Sequence, residues 1–250
     1  MTEEVGRHEG LAYARLPGRG AGRGPGVVFL GGFRSDMQGA KALALRDHCA
    51  ARGQAFLRFD YSGHGASEGR FADGTIGQWA ADAARLLAAL TAGPQILVGS
   101  SMGGWIALLL ARAHLARVAA LIGIAPAPDF TARLMWPAFT AEQQATILKD
   151  GVLHVPSAYG EPVPITRALI EDGARQSVLD APIPFAGPVR ILHGMADPDV
   201  PWRHALTLVD ALAGPDVRLH LVKDGDHRLS RPQDLALLAA TLEEVLTAIR

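Results

Sequence analysis

A serine set between small residues, where an apolar strand meets a helix, has its hydroxyl lifted clear of the backbone for nucleophilic attack, and residues 99–103 (GSSMG) have this form. They follow the apolar run 95–98 (QILV) and precede the helix-like stretch 104–111 (GWIALLLA). Gly99 and Gly103 permit the tight turn, which makes Ser101 the candidate nucleophile. The alternative is a glycine-rich turn with an incidental serine. A serine hydroxyl is a poor nucleophile near neutrality and needs a base that is itself oriented by an acid. His227, in 222–228 (VKDGDHR), follows the last strand candidate and can be carried over the sheet edge as the base. Asp197, in 193–201 (HGMADPDVP), follows a strand candidate and is the expected acid. Asp199 is its rival, and Asp197 is preferred because it lies nearer the strand end. Asp224 and Asp226 remain open as turn formers or caps.

Acyl transfer also needs donors for the oxyanion of a tetrahedral intermediate. The backbone N–H of Met102, at a helix start, and that of Phe33, after the paired glycines in 27–36 (VVFLGGFRSD), are the expected pair. Gly31 and Gly32 otherwise read as a simple strand-to-loop turn, and Ser35 or Asp36 is expected to cap the following helix. The other histidines show no pairing suited to a metal on one helical face. His64 and His193 lie closest to the motifs and are expected to serve structural hydrogen bonds. No metal site and no cofactor are expected. The glycine-rich segment 18–26 (GRGAGRGPG) lacks a following Lys-Ser or Lys-Thr for a nucleotide phosphate and reads as a turn.

Positioning these groups requires an α/β scaffold. Strands are predicted at Leu11–Leu16, 27–30, 55–59, 96–98, Val118–Ile124, 189–192 and 218–222. Helices are predicted at 37–51, 76–92, 104–113, 202–212 and 232–249. Such alternation implies mostly parallel strands with helices on both faces. The stretch 126–185 breaks it, being longer than an ordinary crossover, and is expected to form a lid insertion in a single domain spanning 1–250. Helical character is expected there at 141–149 and 166–178, with 151–164 interrupted by three prolines. Its apolar residues Phe130, Leu134, Met135, Trp136, Phe139 and Tyr159 either line an acyl pocket or fix the lid to the core.

The whole-chain balance excludes several classes. The 250 residues are 49% apolar, enough for a large core, and 24 basic against 25 acidic residues give a net charge of −1 with no basic stripe, so nucleic acid is not an expected partner. The one cysteine, Cys49, reads as a buried thiol. No stretch reaches the ~20 apolar residues of a membrane span. The N-terminal residues resemble neither a secretory signal nor a transit peptide, and a cytoplasmic location is expected.

With these motifs in place, the chain resembles the α/β-hydrolase superfamily over nearly its full length. The loop 60–67 (DYSGHGAS) looks like the superfamily's loop after the fourth strand. More narrowly, 32–42 (GFRSDMQGAKA), 58–63 (RFDYSG), 93–105 (GPQILVGSSMGGW), 193–202 (HGMADPDVPW) and 226–228 (DHR) resemble the mitochondrial palmitoyl-protein thioesterase and acyl-glucuronide esterase subfamily. That resemblance implies hydrolysis of acyl esters and thioesters, on a small-molecule acyl ester or an S-acylated substrate, with Ser101, Asp197 and His227 as the triad. Two departures stand out. No presequence is expected from the N-terminal residues, which suggests a bacterial-type cytoplasmic relative, and Gly31 stands where many α/β hydrolases carry histidine. Competing expectations are a carbon–carbon bond hydrolase or small-molecule carboxylesterase on the same triad, and a non-catalytic hydrolase-fold binding protein.

Overall fold

Period-two sorting of apolar residues builds the centre of the molecule. The computed structural model describes residues 2–18, 24–157 and 160–249. Its strands are β1 (Glu4–His8), β2 (Leu11–Leu16), β3 (Gly26–Leu30), β4 (Phe56–Phe59), β5 (Gln95–Ser100), β6 (Val118–Ile124), β7 (Val152–Ser157), β8 (Gly160–Thr166), β9 (Val189–Gly194) and β10 (Val217–Val222). Its helices are α1 (Ala40–Arg52), α2 (Ile76–Leu90), α3 (Met102–Ala113), the single turn α4 (Trp136–Ala138), α5 (Ala141–Asp150), α6 (Arg167–Arg175), α7 (Arg203–Ala211) and α8 (Pro232–Ala248). Eight strands form one sheet in the order β1-β2-β4-β3-β5-β6-β9-β10. β2 runs antiparallel to both neighbours and every other pairing is parallel.

Along β3 and β5, Val27, Phe29, Ile96 and Val98 face one side with Leu45 and Cys49 of α1 and Leu242 and Val245 of α8. Val28, Leu30 and Leu97 face the other, with Trp79 of α2 and Trp105 and Ile106 of α3. The expected two-faced α/β sandwich is therefore present. Cys49 is fully buried, and that burial pushes its thiol up to about 12, so it is a packing residue with negligible thiolate near neutrality. None of the helices among the described residues is long and apolar enough to cross a membrane.

Three differences from the sequence-based expectations have physical reasons. β1 is absent from the predicted strands because it is an edge strand with a mostly polar, exposed sequence, Val5 being 73% exposed. The stretch 151–164, read as proline-broken, forms most of the β7–β8 hairpin, with Val152 opposite Thr166 and His154 opposite Pro164. In a two-stranded ribbon each strand keeps one free edge, so a residue without N–H is tolerated where it faces outward. Neither Ser35 nor Asp36 caps α1. The N-cap is Gly39, without a side-chain bond, and Asp36 accepts the Gln38 N–H at 2.8 Å to close a local turn. In the segment 18–26, residues 19–23 lie outside the described residues, as does Tyr159.

Between β6 and β9 the chain carries a five-residue π turn (Thr131–Met135), α4, α5, the hairpin and α6. Buried Asp129 closes this excursion on itself, accepting from Ser177 Oγ at 2.7 Å, Val178 N at 2.9 Å and Leu179 N at 3.0 Å. Bonds from α2, α3 and α7 dock it on the sheet's helices: Gly77 N–H donates to Asp172 Oδ2 at 2.7 Å, Trp105 Nε1–H to the Gln176 carbonyl at 3.1 Å, Arg112 to the Ser177 carbonyl at 2.9 Å, and His204 Nε2–H to the Pro128 carbonyl at 2.7 Å. Phe130 is buried in the core, with Leu134 and Met135 packed against it, whereas Trp136 and Phe139 are half-buried.

Candidate active site

The end of β5 and the start of α3 impose an unusual conformation on Ser101. Its φ is 53° and ψ is −118°, a left-handed region that a residue with a Cβ occupies only when its surroundings hold it there. Its N–H donates to the Ile124 carbonyl at 2.9 Å, and its carbonyl accepts from Gly104 N at 2.9 Å and Ala127 N at 3.1 Å. The turn also depends on glycine at 103, where a Cβ would overlap the Leu30 and Gly31 carbonyl oxygens. Gly103→Ala is accordingly expected to lose about 3 kcal/mol, since backbone cannot yield as a side chain does. Urea unfolding checks this, and an unchanged midpoint with unchanged slope would contradict it.

Two further sheet-end loops reach this serine and are stitched to each other. Met195 N–H donates to the Val222 carbonyl at 2.8 Å and Ala196 N–H to the Gly225 carbonyl at 2.9 Å. Gly194 lies so close beneath Gly225 that a Cβ there would overlap it. The loop after β9 thus delivers Asp197 and the loop after β10 delivers His227. His227 Nδ1 lies 2.7 Å from Asp197 Oδ2, and Nε2 lies 3.0 Å from Ser101 Oγ. The Asp197 side chain is fully buried while that of His227 is 21% exposed and Ser101 is half-buried, so the acid end of the relay is sealed and its other two members reach solvent.

Asp197 is held from both sides. Oδ1 accepts the Asp199 and Val200 amides, each at 2.8 Å, while Oδ2 faces His227 and, at 3.4 Å, the Nε2 of fully buried His193. Burial raises the carboxyl pKa, but hydrogen bonds from His193, His227 and the Val200 amide outweigh it and hold the group well below the usual carboxylate range. It is an anion near neutrality. Asp199, the sequence rival, contributes its amide to Asp197. Its carboxylate, Asp197 and His227 have donor atoms within 4.8 Å of one another, but both ring nitrogens of His227 are already engaged, one by Asp197 and one by Ser101.

The remaining ambiguous acids have structural work. Asp226 Oδ1 accepts the Leu229 amide at 2.9 Å, closing the turn that carries His227. Asp224 pairs with Arg231 at 2.6 Å. Lys41 of α1, its ammonium brought down to about 8 by burial, donates to the Arg228 carbonyl and braces the same loop.

Met102 is the first residue of α3, so its N–H has no acceptor within the helix. Across from it, a Cβ on Gly32 would sit 3.4 Å from Ser101 Cβ, which places the 32–33 peptide beside the serine. The Phe33 ring is fixed edge-on to Phe71 at 4.9 Å, Trp79 at 5.9 Å and Phe130 at 5.7 Å. Buried Asp60 ties this loop to the one after β4, accepting Met37 N at 2.6 Å and Ala66 N at 2.8 Å. The role of Asp60 and the partners of His193 were not legible in the sequence. Both motifs were visible, but only the fold reveals which distant amide or carboxylate each side chain meets.

The arrangement suits proton removal from a serine beside a pair of oriented amides. A family model described as serine aminopeptidase, S33 matches residues 25–158. The chain is 42% identical over 238 residues to the mitochondrial palmitoyl-protein thioesterase ABHD10 of Mus musculus, covering 94% of this chain and 78% of that protein. A putative hydrolase from Agrobacterium vitis S4 superposes with a TM-score of 0.93 at 44% identity, over 98% of this chain and all of that one. The mouse alpha/beta hydrolase domain-containing protein 10 does so with a TM-score of 0.88 at 38% identity, over the whole of both chains. From sheet order, site geometry and these similarities together, the chain belongs to the serine aminopeptidase S33 family of the α/β-hydrolase superfamily and is a hydrolytic enzyme.

Proposed function

We propose that this enzyme cleaves acyl thioesters and carboxylic esters through an acyl-enzyme on Ser101, with His227 as base and Asp197 as its orienting acid. The observation that carries the reading is the unbroken relay from Asp197 Oδ2 through His227 to Ser101 Oγ, with contacts of 2.7 and 3.0 Å. His227 takes the Ser101 proton as Oγ attacks the carbonyl carbon, and the Phe33 and Met102 N–H groups receive the oxyanion. Collapse expels a thiol or alcohol protonated by His227. Water, deprotonated by the same histidine, then releases the acid. Asp197 stabilises each imidazolium. No step calls for a cofactor.

Segment 126–185 acts as the lid of this single catalytic unit, and Phe130, between Trp105 at 5.7 Å and Phe33 at 5.7 Å, links it to the oxyanion loop. Thioester cleavage draws support from the similarity to the mouse palmitoyl-protein thioesterase. Acyl thioesters, matched oxygen esters and acyl glucuronides of increasing chain length test the reading in steady-state assays. Turnover of thioesters and esters, with KM falling as the chain lengthens, is expected. Turnover of a 1,3-diketone with neither ester cleaved would replace the reading with carbon–carbon bond hydrolysis.

A further inference from the structure

His64 stands outside the Ser101 relay, yet both of its ring nitrogens are committed. Nε2 lies 3.2 Å from Arg34 N, and Nδ1 lies 3.2 Å from the Ser62 carbonyl oxygen. An amide can only donate and a carbonyl can only accept, so the proton sits on Nδ1 and Nε2 presents its lone pair. The imidazole is therefore neutral by the chemistry of its partners. It is also walled in, with rings of Tyr61 at 5.6 Å, Phe71 at 5.2 Å and Trp79 at 5.0 Å around it and 4% of its surface exposed.

The amide that His64 holds belongs to the turn bearing the proposed oxyanion donor. Arg34 has a φ of 59°, a conformation that a side-chain-bearing residue keeps only when its surroundings dictate it. On the other side of the turn, Ser35 N–H donates to the Gly32 carbonyl at 3.1 Å, which fixes the peptide unit containing the Phe33 N–H. Phe71 and Trp79, which flank His64, also clamp the Phe33 ring. Building on the proposed function, we infer that His64 is a positioning residue for the oxyanion hole: its unprotonated Nε2 holds Arg34 N–H and thereby aims Phe33 N–H at the Ser101 site.

This device responds to protons. A protonated His64 would bring an N–H against the Arg34 N–H, and the turn would lose its acceptor. The charged groups facing the ring are Asp82 of α2, which favours protonation, and Arg34, which opposes it. Asp82 is shared with Arg85 at 2.5 Å, Gln78 at 2.9 Å and Ser62 N at 2.9 Å. Burial is the largest influence and lowers the His64 pKa below the ordinary histidine value, so the latch is set at neutral pH. Because the folded pKa is depressed, its stabilising contribution is present above the unfolded pKa and is lost as pH falls through the folded one.

The test compares wild type, His64→Leu and His64→Gln on one acyl thioester across the acid limb, with thermal melts alongside. Leu removes the acceptor, whereas Gln offers a carbonyl oxygen to Arg34 N–H. Leu is expected to lower kcat by about 10- to 100-fold with KM within about threefold, because oxyanion stabilisation acts in the transition state. Gln restores most of the loss. The acid limb of log kcat/KM is expected to be steeper in wild type than in His64→Gln, because the variant has no imidazole at position 64 to protonate. Wild-type rates in His64→Leu, or equal slopes in wild type and His64→Gln, would overturn the inference. If His64→Leu does not fold, the slope comparison decides alone. Fluorophosphonate labelling of wild type separates the two levels. Failure to label Ser101 removes the proposed function itself, whereas normal labelling beside unaffected His64 variants removes only this inference.

Discussion

Ser101→Ala is expected to lower turnover by about 10⁵-fold or more while leaving the fold intact. The hydroxyl oxygen is the atom that His227 Nε2 approaches at 3.0 Å, and no neighbouring side chain in the relay offers a substitute nucleophile. Alanine keeps the Cβ, so it keeps the same strained φ of 53°, and the backbone bonds to Ile124, Gly104 and Ala127 are unaffected. The Tm is therefore expected to shift by no more than about 4 °C, which corresponds to ~1 kcal/mol for a chain of this size. Activity assays on thioester substrate, paired with thermal melts, check both halves. Wild-type turnover in the folded variant would remove Ser101 from the chemistry.

Asp197→Asn is expected to lower kcat by about 10⁴-fold with little change in KM. The surrounding bonds dictate which way the amide turns. Asp197 Oδ1 accepts two backbone amides, from Asp199 and Val200, and only the carbonyl oxygen of Asn can replace it there. The NH₂ group must then occupy the Oδ2 position and donate to His227 Nδ1. That forces the ring proton onto Nε2, opposite the Ser101 hydroxyl, where a base is needed. The same substitution removes a carboxylate held well below its usual pKa, which stabilises the fold above the ordinary carboxylate range and is lost as pH falls through the folded value. The variant's stability is accordingly expected to depend less on pH in the acid range than wild type, as followed by urea unfolding at a series of pH values.

The strand ends carried most of the legible information. Short apolar runs such as 95–98 and 118–124, bounded by turn residues, read as central strands, so the loops after β5, β9 and β10, and the residues on them, were located from sequence. The structure brings Ser101, Asp197 and His227 within hydrogen-bonding distance, and the carboxylate against His227 is that of Asp197. Elements without that signature were hidden. β1 lacks an apolar stripe because it lies at the sheet edge, and the β7–β8 hairpin carries Pro156, Pro162 and Pro164, which ordinarily signal a break. Asp36 matched a helix-cap pattern, but its local bond to Gln38 and the start of α1 behind Gly39 depend on how the loop is drawn toward Asp60. His64 and His193 were expected to make structural hydrogen bonds, and they do. What spacing alone did not disclose is that His64 meets the Arg34 amide, while His193 Nε2–H donates to the Val200 carbonyl at 2.9 Å with the Asp197 carboxylate 3.4 Å away. Those contacts span 30 residues in the first case, a separation at which pairing is decided by topology.

The most direct test of the account is covalent. Folded wild-type protein treated with a fluorophosphonate is expected to gain one adduct, mapped to Ser101 by peptide mass spectrometry, with labelling lost in Ser101→Ala and strongly slowed in His227→Ala. An adduct elsewhere, or thioester turnover that persists in folded Ser101→Ala, would contradict it.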